Sequence, residues 1–265
     1  MANPSASRGC AAGEARPVKL ALVTGGTQRL GAAIAARLAA SGYALALHYR
    51  SEGELDRELS AAIRREGVAA REFSADFGEE GAPAQLIDRV RGEFGHAPTL
   101  LVNSASMFGS DDFETTGLAA LTEHFRVNAA APILLAQSFA SALGGTAGAV
   151  VNILDQRLVQ PHGDNFAYTV AKFALAGATE MLSRILAPGI RVNAVAPGLT
   201  LPTGDYDGAQ LEKVRKAMPL DRLPSPEEIA DAAAYLADAS SVTGQTIYVD
   251  GGARHRYFPR DFDRL

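Results

Sequence analysis

The chain has one cysteine, Cys10, so it can form neither an intrachain disulfide nor a cysteine-built metal site. That scarcity fits a reducing compartment, and a cytoplasmic location is expected. There is no surplus of basic residues: 25 Lys and Arg stand against 30 Asp and Glu, a net charge of −5. Without a basic stripe to neutralise phosphates, nucleic acid is not expected as a partner. No apolar run reaches the roughly 20 residues of a membrane span without a charge or a glycine. His48, His96, His124 and His255 are scattered and show no metal-ligand spacing, His162 and Asp164 lie between Asp155 and Tyr168, and no G-x-S-x-G nucleophile elbow occurs. Residues 1–17, rich in Ala, Ser, Gly and Pro, lack the apolar core of a signal peptide and read as a disordered tail. Nothing resembling a linker interrupts residues 18–252, which read as one domain followed by a short extension over 253–265.

What the chain does have is alternation. Strand-like runs lie at 19–24, 44–49, 69–74, 99–103, 149–154, 190–196 and 245–249, and all but 69–74 are rich in Val, Leu and Ile with little polar alternation, as in strands buried on both faces. Helical patterns lie between them, near 30–41, 54–66, 83–94, 116–143, 168–187 and 226–237. Gly42, Gly67, Gly95 and Gly189 each follow a helical stretch and precede a strand, where a left-handed cap is wanted. Ser225-Pro226-Glu227-Glu228 reads as an N-cap, a first-turn proline and two acids that complement the helix dipole. This order predicts an α/β chain with one doubly wound parallel sheet between layers of helices. Ligands of such sheets bind beyond the carboxyl ends of the strands.

The first strand runs into a glycine turn, LALVTGGTQRLG over 20–31. Free N–H groups and the positive end of a helix dipole at such a turn can hold a pyrophosphate. Gly25 and Gly31 lack a Cβ where backbone must come close to a ligand or a strand. The second strand ends in His48-Tyr49-Arg50-Ser51, and the first acid after it is Glu52. A cofactor with a free ribose 2′-OH usually meets an acid at the strand end. Arg50 and Ser51 can instead hold a 2′-phosphate, with Arg29 as a second cation, which favours NADP(H). Arg50 can equally be a solvated residue at a strand end. The third strand ends in Ala75-Asp76-Phe77, where Asp76 either accepts the adenine amino group or caps a helix. The fourth ends in Asn103-Ser104-Ala105-Ser106, small residues that let a flat ring lie against the backbone. Phe108 follows, either at the mouth of the site or in the core.

The fifth strand ends at Asp155, and the next helix opens Tyr168-Thr169-Val170-Ala171-Lys172. Tyr168 and Lys172, at i and i+4, share a helix face. A nearby ammonium favours the phenolate and is expected to lower the tyrosine pKa. A phenol so adjusted can pass a proton to an atom near one that receives a hydride.

From about residue 18 to 252 the chain resembles the short-chain dehydrogenases/reductases. The marks are TGGTQRLG, Asp76, Asn103-Ser104-Ala105, Asn128, the Tyr168/Lys172 pair, Pro197-Gly198 and Val249-Asp250-Gly251-Gly252. The resemblance implies a three-layer Rossmann fold of seven parallel strands, a nicotinamide cofactor and a homotetramer. It also implies that Asn128, Tyr168 and Lys172 are catalytic, with Asn128 holding a water that links Lys172 to solvent and Lys172 binding the nicotinamide ribose. Gly25, Thr27, Arg29, Leu30, Gly31, Phe77 and the strand-end residues above would meet the cofactor. Pro197, Gly198 and Thr200 would line its nicotinamide.

Two departures point to one branch, the pteridine reductases. Arg29 replaces the middle glycine of the turn, and Asp155 stands where the usual serine lies thirteen positions before the tyrosine. In that branch Phe108 would stack on the pterin, and Ser106 and Arg29 would contact the pterin or the cofactor phosphates. The segment 199–215 has no clear match beyond its first positions.

An ionised aspartate only accepts hydrogen bonds. Beside a ketone oxygen gaining charge it would raise the barrier, whereas a pterin offers N–H and amino donors and a C=N bond to reduce. Asp155 can serve the proton step directly or position Tyr168; it can also merely bond backbone in a chain that has lost activity. The expectation is an NADPH-dependent reductase of a pteridine-like substrate. The alternatives are a carbonyl reductase of 3-oxoacyl thioesters or sugars and a non-catalytic NADPH sensor. Residues 253–265 are expected to reach over a neighbouring subunit's pocket.

Overall fold

The computed structural model describes residues 19–51, 53–109, 111–201 and 207–264. The expected tail at 1–17, Cys10 and Glu52 lie outside them. Seven strands form one parallel sheet: β1 (Leu20–Thr24), β2 (Ala44–Tyr49), β3 (Ala70–Ser74), β4 (Leu100–Asn103), β5 (Gly148–Ile153), β6 (Ile190–Pro197) and β7 (Thr246–Val249). Their order is β3-β2-β1-β4-β5-β6-β7, with every neighbouring pair parallel. The chain therefore reverses its winding at β1, and a crevice opens between the ends of β1 and β4.

The helices are α1 (Arg29–Ala40), α2 (Arg57–Glu66), α3 (Ala82–Phe94), α4 (Leu118–Phe125), α5 (Ala131–Leu143), α6 (Phe166–Ile185), α7 (Gly208–Ala217) and α8 (Pro226–Asp238). Strand residues of opposite parity feed opposite faces. Ala21, Val23, Leu45 and Leu47 pack with Ile34 and Leu38 of α1 and Ile229 and Leu236 of α8. Leu20, Leu22 and Leu101 pack with Leu86 and Val90 of α3 and Leu135 and Phe139 of α5. Burial on both faces is why the central strands read as unbroken apolar runs. The edges differ: β3 exposes most of AREFS, and β7 is only partly buried.

Local chemistry sets the element ends. Asp56 accepts from the Glu58 and Leu59 N–H groups and so starts α2. Ser225 and Glu228 form the reciprocal capping box of α8. Gly67 and Gly95 close α2 and α3 at φ 64° and 77°. Gly189 is not left-handed, because α6 stops earlier, at Leu186, just before Pro188. The single helix expected at 116–143 is two, α4 and α5, joined by a π-helical turn over Arg126–Ala130. Pro132 is the physical reason. It has no N–H for the Asn128 carbonyl, and its ring would clash there in an unbroken α-helix. The turn widens instead, and Asn128 sits inside it. α7 lies in a segment for which no helix was expected.

Candidate active site

The glycine turn at the end of β1 is built by close approach. A Cβ on Gly31 would lie 2.0 Å from the Gly25 carbonyl oxygen. Gly25 has φ +61°, and a Cβ there would lie 3.1 Å from Ala105 Cα. Arg29 keeps the left-handed backbone, φ 53°, that a glycine adopts freely, and its guanidinium donates to the Leu201 carbonyl at 3.2 Å. His48 braces the turn: its Nδ1 accepts from Gly25 N at 3.1 Å, and its Nε2 lies 3.0 Å from the Ala75 carbonyl. Those partners fix a neutral ring protonated on Nε2. Burial pushes its pKa down to about 4, and the ring stacks on Phe77 at 4.3 Å. His48 thus supports the turn from beneath with Phe77 stacked on it, and both rings border the cavity that opens there.

A cavity of about 930 Å³ runs along the carboxyl edge of the sheet from this turn to α6. At one end it is lined by Thr27, Arg29, Leu30, Tyr49, Arg50 and Ser51, and beside them by Asp76. Asp76 is not a helix cap; it accepts from Gly78 N at 2.7 Å, and α3 starts later, after Gly81. Ser104, Ala105, Ser106 and Phe108 form one wall. Phe108 is 55% exposed and stands at the mouth, so it is not a core residue. Pro197, Gly198 and Thr200 line the opposite side; a Cβ on Gly198 would meet Asp250 Cα at 2.8 Å. Asn103 does not line the cavity, since its amide donates to Asn152 Oδ1 within the buried sheet. Asn128 lies behind the wall: its Oδ1 accepts from Met107 N at 2.8 Å and Ser106 Oγ at 3.1 Å, and its Nδ2 donates to Met107 O at 2.8 Å. It therefore fixes the segment carrying Ser106 and Phe108.

At the deep end, Tyr168 and Lys172 share the inner face of α6. The Tyr168 hydroxyl donates to Asp155 Oδ2 at 2.9 Å. Lys172 Nζ donates to the Ile153 carbonyl at 2.7 Å and lies 5.6 Å from the Tyr168 ring centre. The expected fall in the tyrosine pKa is not found. Burial first, then the Asp155 carboxylate, push it well above its ordinary value, so the phenol keeps its proton. Burial also pushes Lys172 down to about 8, with Asp155 opposing.

Beyond the expected residues, the site holds Arg157 and the C-terminal segment. Arg157 is buried; its N–H donates to Asp155 Oδ1 at 2.9 Å, and its Nη2 reaches both Asp261 oxygens at 3.1–3.2 Å. Asp164 is buried and accepts from Arg260, Arg264 and Asp261 N. Residues 253–264 therefore fold back onto the chain's own pocket, and Asp261, Phe262 and Arg264 line it. Ion pairs within the chain hold the segment there. The signal for this contact was faint: two acids and two arginines alternating near the end of the chain, and an arginine two residues after Asp155.

Residues 26–254 match the family model described as enoyl-(acyl carrier protein) reductase. The chain is 36% identical to FolM alternative dihydrofolate reductase 1 from Brucella canis, solved complexed with NADP, with a TM-score of 0.80 and coverage of 90% of this chain and 95% of that one. It is 32% identical to pteridine reductase 1 of Leishmania tarentolae over 276 residues, 88% of this chain and 95% of that protein. It is 33% identical to tropinone reductase-like 3 of Erythroxylum coca over 245 residues, 90% of this chain and 94% of that protein. With the glycine turn, the Tyr168/Lys172 pair and the seven-stranded sheet in place, the chain belongs to the short-chain dehydrogenase/reductase family.

Proposed function

We propose that this protein is an NADPH-dependent reductase that delivers a hydride to a C=N bond of a pteridine-like substrate. The observation that carries the reading is the 2.9 Å hydrogen bond from Tyr168 to Asp155. The residues present fit the cofactor. The glycine turn offers backbone N–H groups at the start of α1, and Arg29 and Arg50 supply cations for phosphates. Ser51 follows Arg50 at the end of β2 and suits a 2′-phosphate. Solved complexes of the FolM relatives with NADP agree with this choice. The cofactor supplies the hydride when bound.

The chain's own residues supply position and protons. Phe108 offers its face to a flat ring, with Ser106 beside it. Tyr168 retains its proton and gives it to the substrate nitrogen as the adjacent carbon takes the hydride, so C=N becomes CH–NH. Asp155, an acceptor from both Tyr168 and Arg157, holds the phenol in place and suits the N–H and amino donors of a pterin. Lys172 holds the proton that restores the phenol, and would bind the nicotinamide ribose. A water on Asn128, to whose carbonyl Pro132 cannot donate, would link Lys172 to solvent.

We also infer a cytoplasmic homotetramer. Val170, Phe173, Met181 and Ile185 leave an apolar stripe on α6 that is 42–66% exposed. A monomeric mass by light scattering would remove the tetramer. No helix among the described residues is long and apolar enough to cross a membrane.

Steady-state rates with NADPH test the activity. Dihydrobiopterin or dihydromonapterin should turn over faster than 3-oxoacyl thioesters or sugar ketones. Turnover of a ketone with both dihydropteridines inert would make the protein a carbonyl reductase. A biological effect that survives Tyr168→Phe would make it a sensor of NADPH.

A further inference from the structure

Arg157 is 5% exposed, lies on the cavity wall, and uses only part of its guanidinium. Nη2 is committed to Asp261. Nε lies 3.4 Å from Asp155 Oδ1 without a hydrogen-bond geometry, and neither Nε nor Nη1 has a hydrogen-bond partner. Donors left so in a buried site cost free energy unless something else accepts from them. The guanidinium carbon also sits 5.6 Å from the Phe108 ring centre and 5.5 Å from that of Tyr168. It is thus held between the aromatic at the mouth and the phenol that gives the proton.

The chemistry of the missing acceptor follows from the charges. Two carboxylates, Asp155 and Asp261, already face this one cation, and they hold it charged against the cost of its burial. Those two carboxylates would repel an anionic group brought up to Nη1, so a neutral oxygen is the fitting partner. In a 4-oxo-7,8-dihydropteridine the imine nitrogen and the ring carbonyl oxygen lie side by side on the peri edge. A phenol aimed at that nitrogen would leave the carbonyl oxygen next to it, toward Arg157.

We propose that Arg157 is a substrate-orienting residue whose Nη1 donates to a neutral ring carbonyl beside the nitrogen that Tyr168 protonates, and that Asp261 is the positioning residue that holds it there. The C-terminal segment is then part of the substrate site. Arg260 and Arg264 fasten that segment to Asp164, and Asp261 also accepts from Asn165. This inference rests on the pteridine reading above.

The test compares a 4-oxo-7,8-dihydropteridine with its analogue carrying hydrogen at that carbon, using the full-length enzyme and NADPH. Wild-type kcat/KM should be at least about tenfold higher for the oxo compound, because the analogue leaves a buried charged donor unpaired. Arg157→Lys, which keeps the charge and loses the planar fork, should cut kcat/KM for the oxo compound about tenfold and that for the analogue less than twofold. Affinity for NADPH should stay the same. Asp261→Asn should raise KM for the oxo compound alone, and add nothing in the Arg157→Lys background. Equal losses on both substrates would make Arg157 a structural ion pair and overturn the proposal. Equal wild-type rates on the two compounds would overturn it as well, even where the variants fail to fold. A wild-type enzyme inert on both compounds overturns the pteridine reading, and this proposal with it.

Discussion

The Tyr168 hydroxyl lies 2.9 Å from Asp155 Oδ2 and donates to it. A phenol that donates to a carboxylate is held in its protonated form, and burial adds to that preference. A serine at position 155 could share its own proton with a substrate carbonyl, but a carboxylate that accepts on both oxygens cannot. The pair therefore gives the site one proton donor, Tyr168, and a neighbour that repels an oxyanion.

Tyr168→Phe should lower kcat with a dihydropteridine by about 10²–10⁴, the usual contribution of a positioned general acid. The NADPH dissociation constant, read by fluorescence titration, should move less than threefold. Asp155→Asn should cost nearly as much in kcat, since an amide has one oxygen for the two donors that Asp155 accepts from, the Arg157 backbone N–H and the phenol. A Tyr168→Phe enzyme with near-normal kcat would remove the phenol from the reaction.

Lys172 is expected to set the alkaline limb of activity. Its pKa is pushed down to about 8 by burial and held up in part by Asp155. Activity that depends on the ammonium should fall as pH rises through about 8. Asp155→Asn removes the stabilising charge, so the limb should move to lower pH. A limb that stays in place, or moves upward, in the residual activity of that variant would separate Lys172 from the proton path.

His48 predicts a stability change on the acid side. Its folded pKa, about 4, lies below its unfolded value of 6.5 because the buried ring resists protonation. Between these values the unfolded chain binds more protons, so stability falls as pH drops from 6.5 to 4. From pH 7 to pH 5 this one group should remove about 2 kcal/mol. Gln at this position can accept from Gly25 N and donate to the Ala75 carbonyl without titrating. Urea unfolding of His48→Gln should therefore lose about 2 kcal/mol less than wild type over that interval. Identical losses in the two proteins would show that the ring is not the titrating group.

Much of the architecture could be read from the chain, because its determinants are local. Central strands with both faces buried take apolar residues along most of their length, and Leu20–Val23 and Leu100–Val102 show it before each strand ends in a polar residue. The Tyr168/Lys172 pair follows from helix periodicity, and Asp155 from its place at the end of β5. The break between α4 and α5 was also written locally, in Pro132, but the apolar pattern on either side hid it. The contacts that escaped are non-local. Arg157 and Asp261 are 104 positions apart, and nothing near either residue names the other. Gly25 and His48 meet across 23 positions through a backbone N–H that carries no sequence signal.

Arg29 allows backbone and charge to be separated. Its φ of 53° disfavours any residue with a Cβ by about 1–2 kcal/mol, while glycine there gives up about 0.5–1 kcal/mol of chain entropy. Arg29→Gly should therefore be more stable to unfolding than Arg29→Ala by about 1 kcal/mol. Both variants lose the same cation, so their NADPH affinities should fall together, by about tenfold at low salt and less at high salt. If Arg29→Ala equals Arg29→Gly in stability, the left-handed backbone is not strained. If neither variant loses affinity, the side chain does not meet the phosphates.

Phe108 separates binding from chemistry. It is 55% exposed and touches Tyr168 edge-on, with ring centres 4.9 Å apart at 74°. Little core packing depends on it, so Phe108→Leu should shift the melting temperature by no more than about 2 °C. A flat substrate loses its stacking partner, worth about 0.5–1.5 kcal/mol beyond area, together with part of the buried surface. KM for a dihydropteridine should rise about tenfold, with kcat within threefold of wild type. That split follows from the geometry: Asp155 still orients the phenol, so the proton step survives once the ring is bound. If kcat falls and KM holds, Phe108 acts by holding Tyr168 in place, and the ring-stacking role passes to another wall of the cavity.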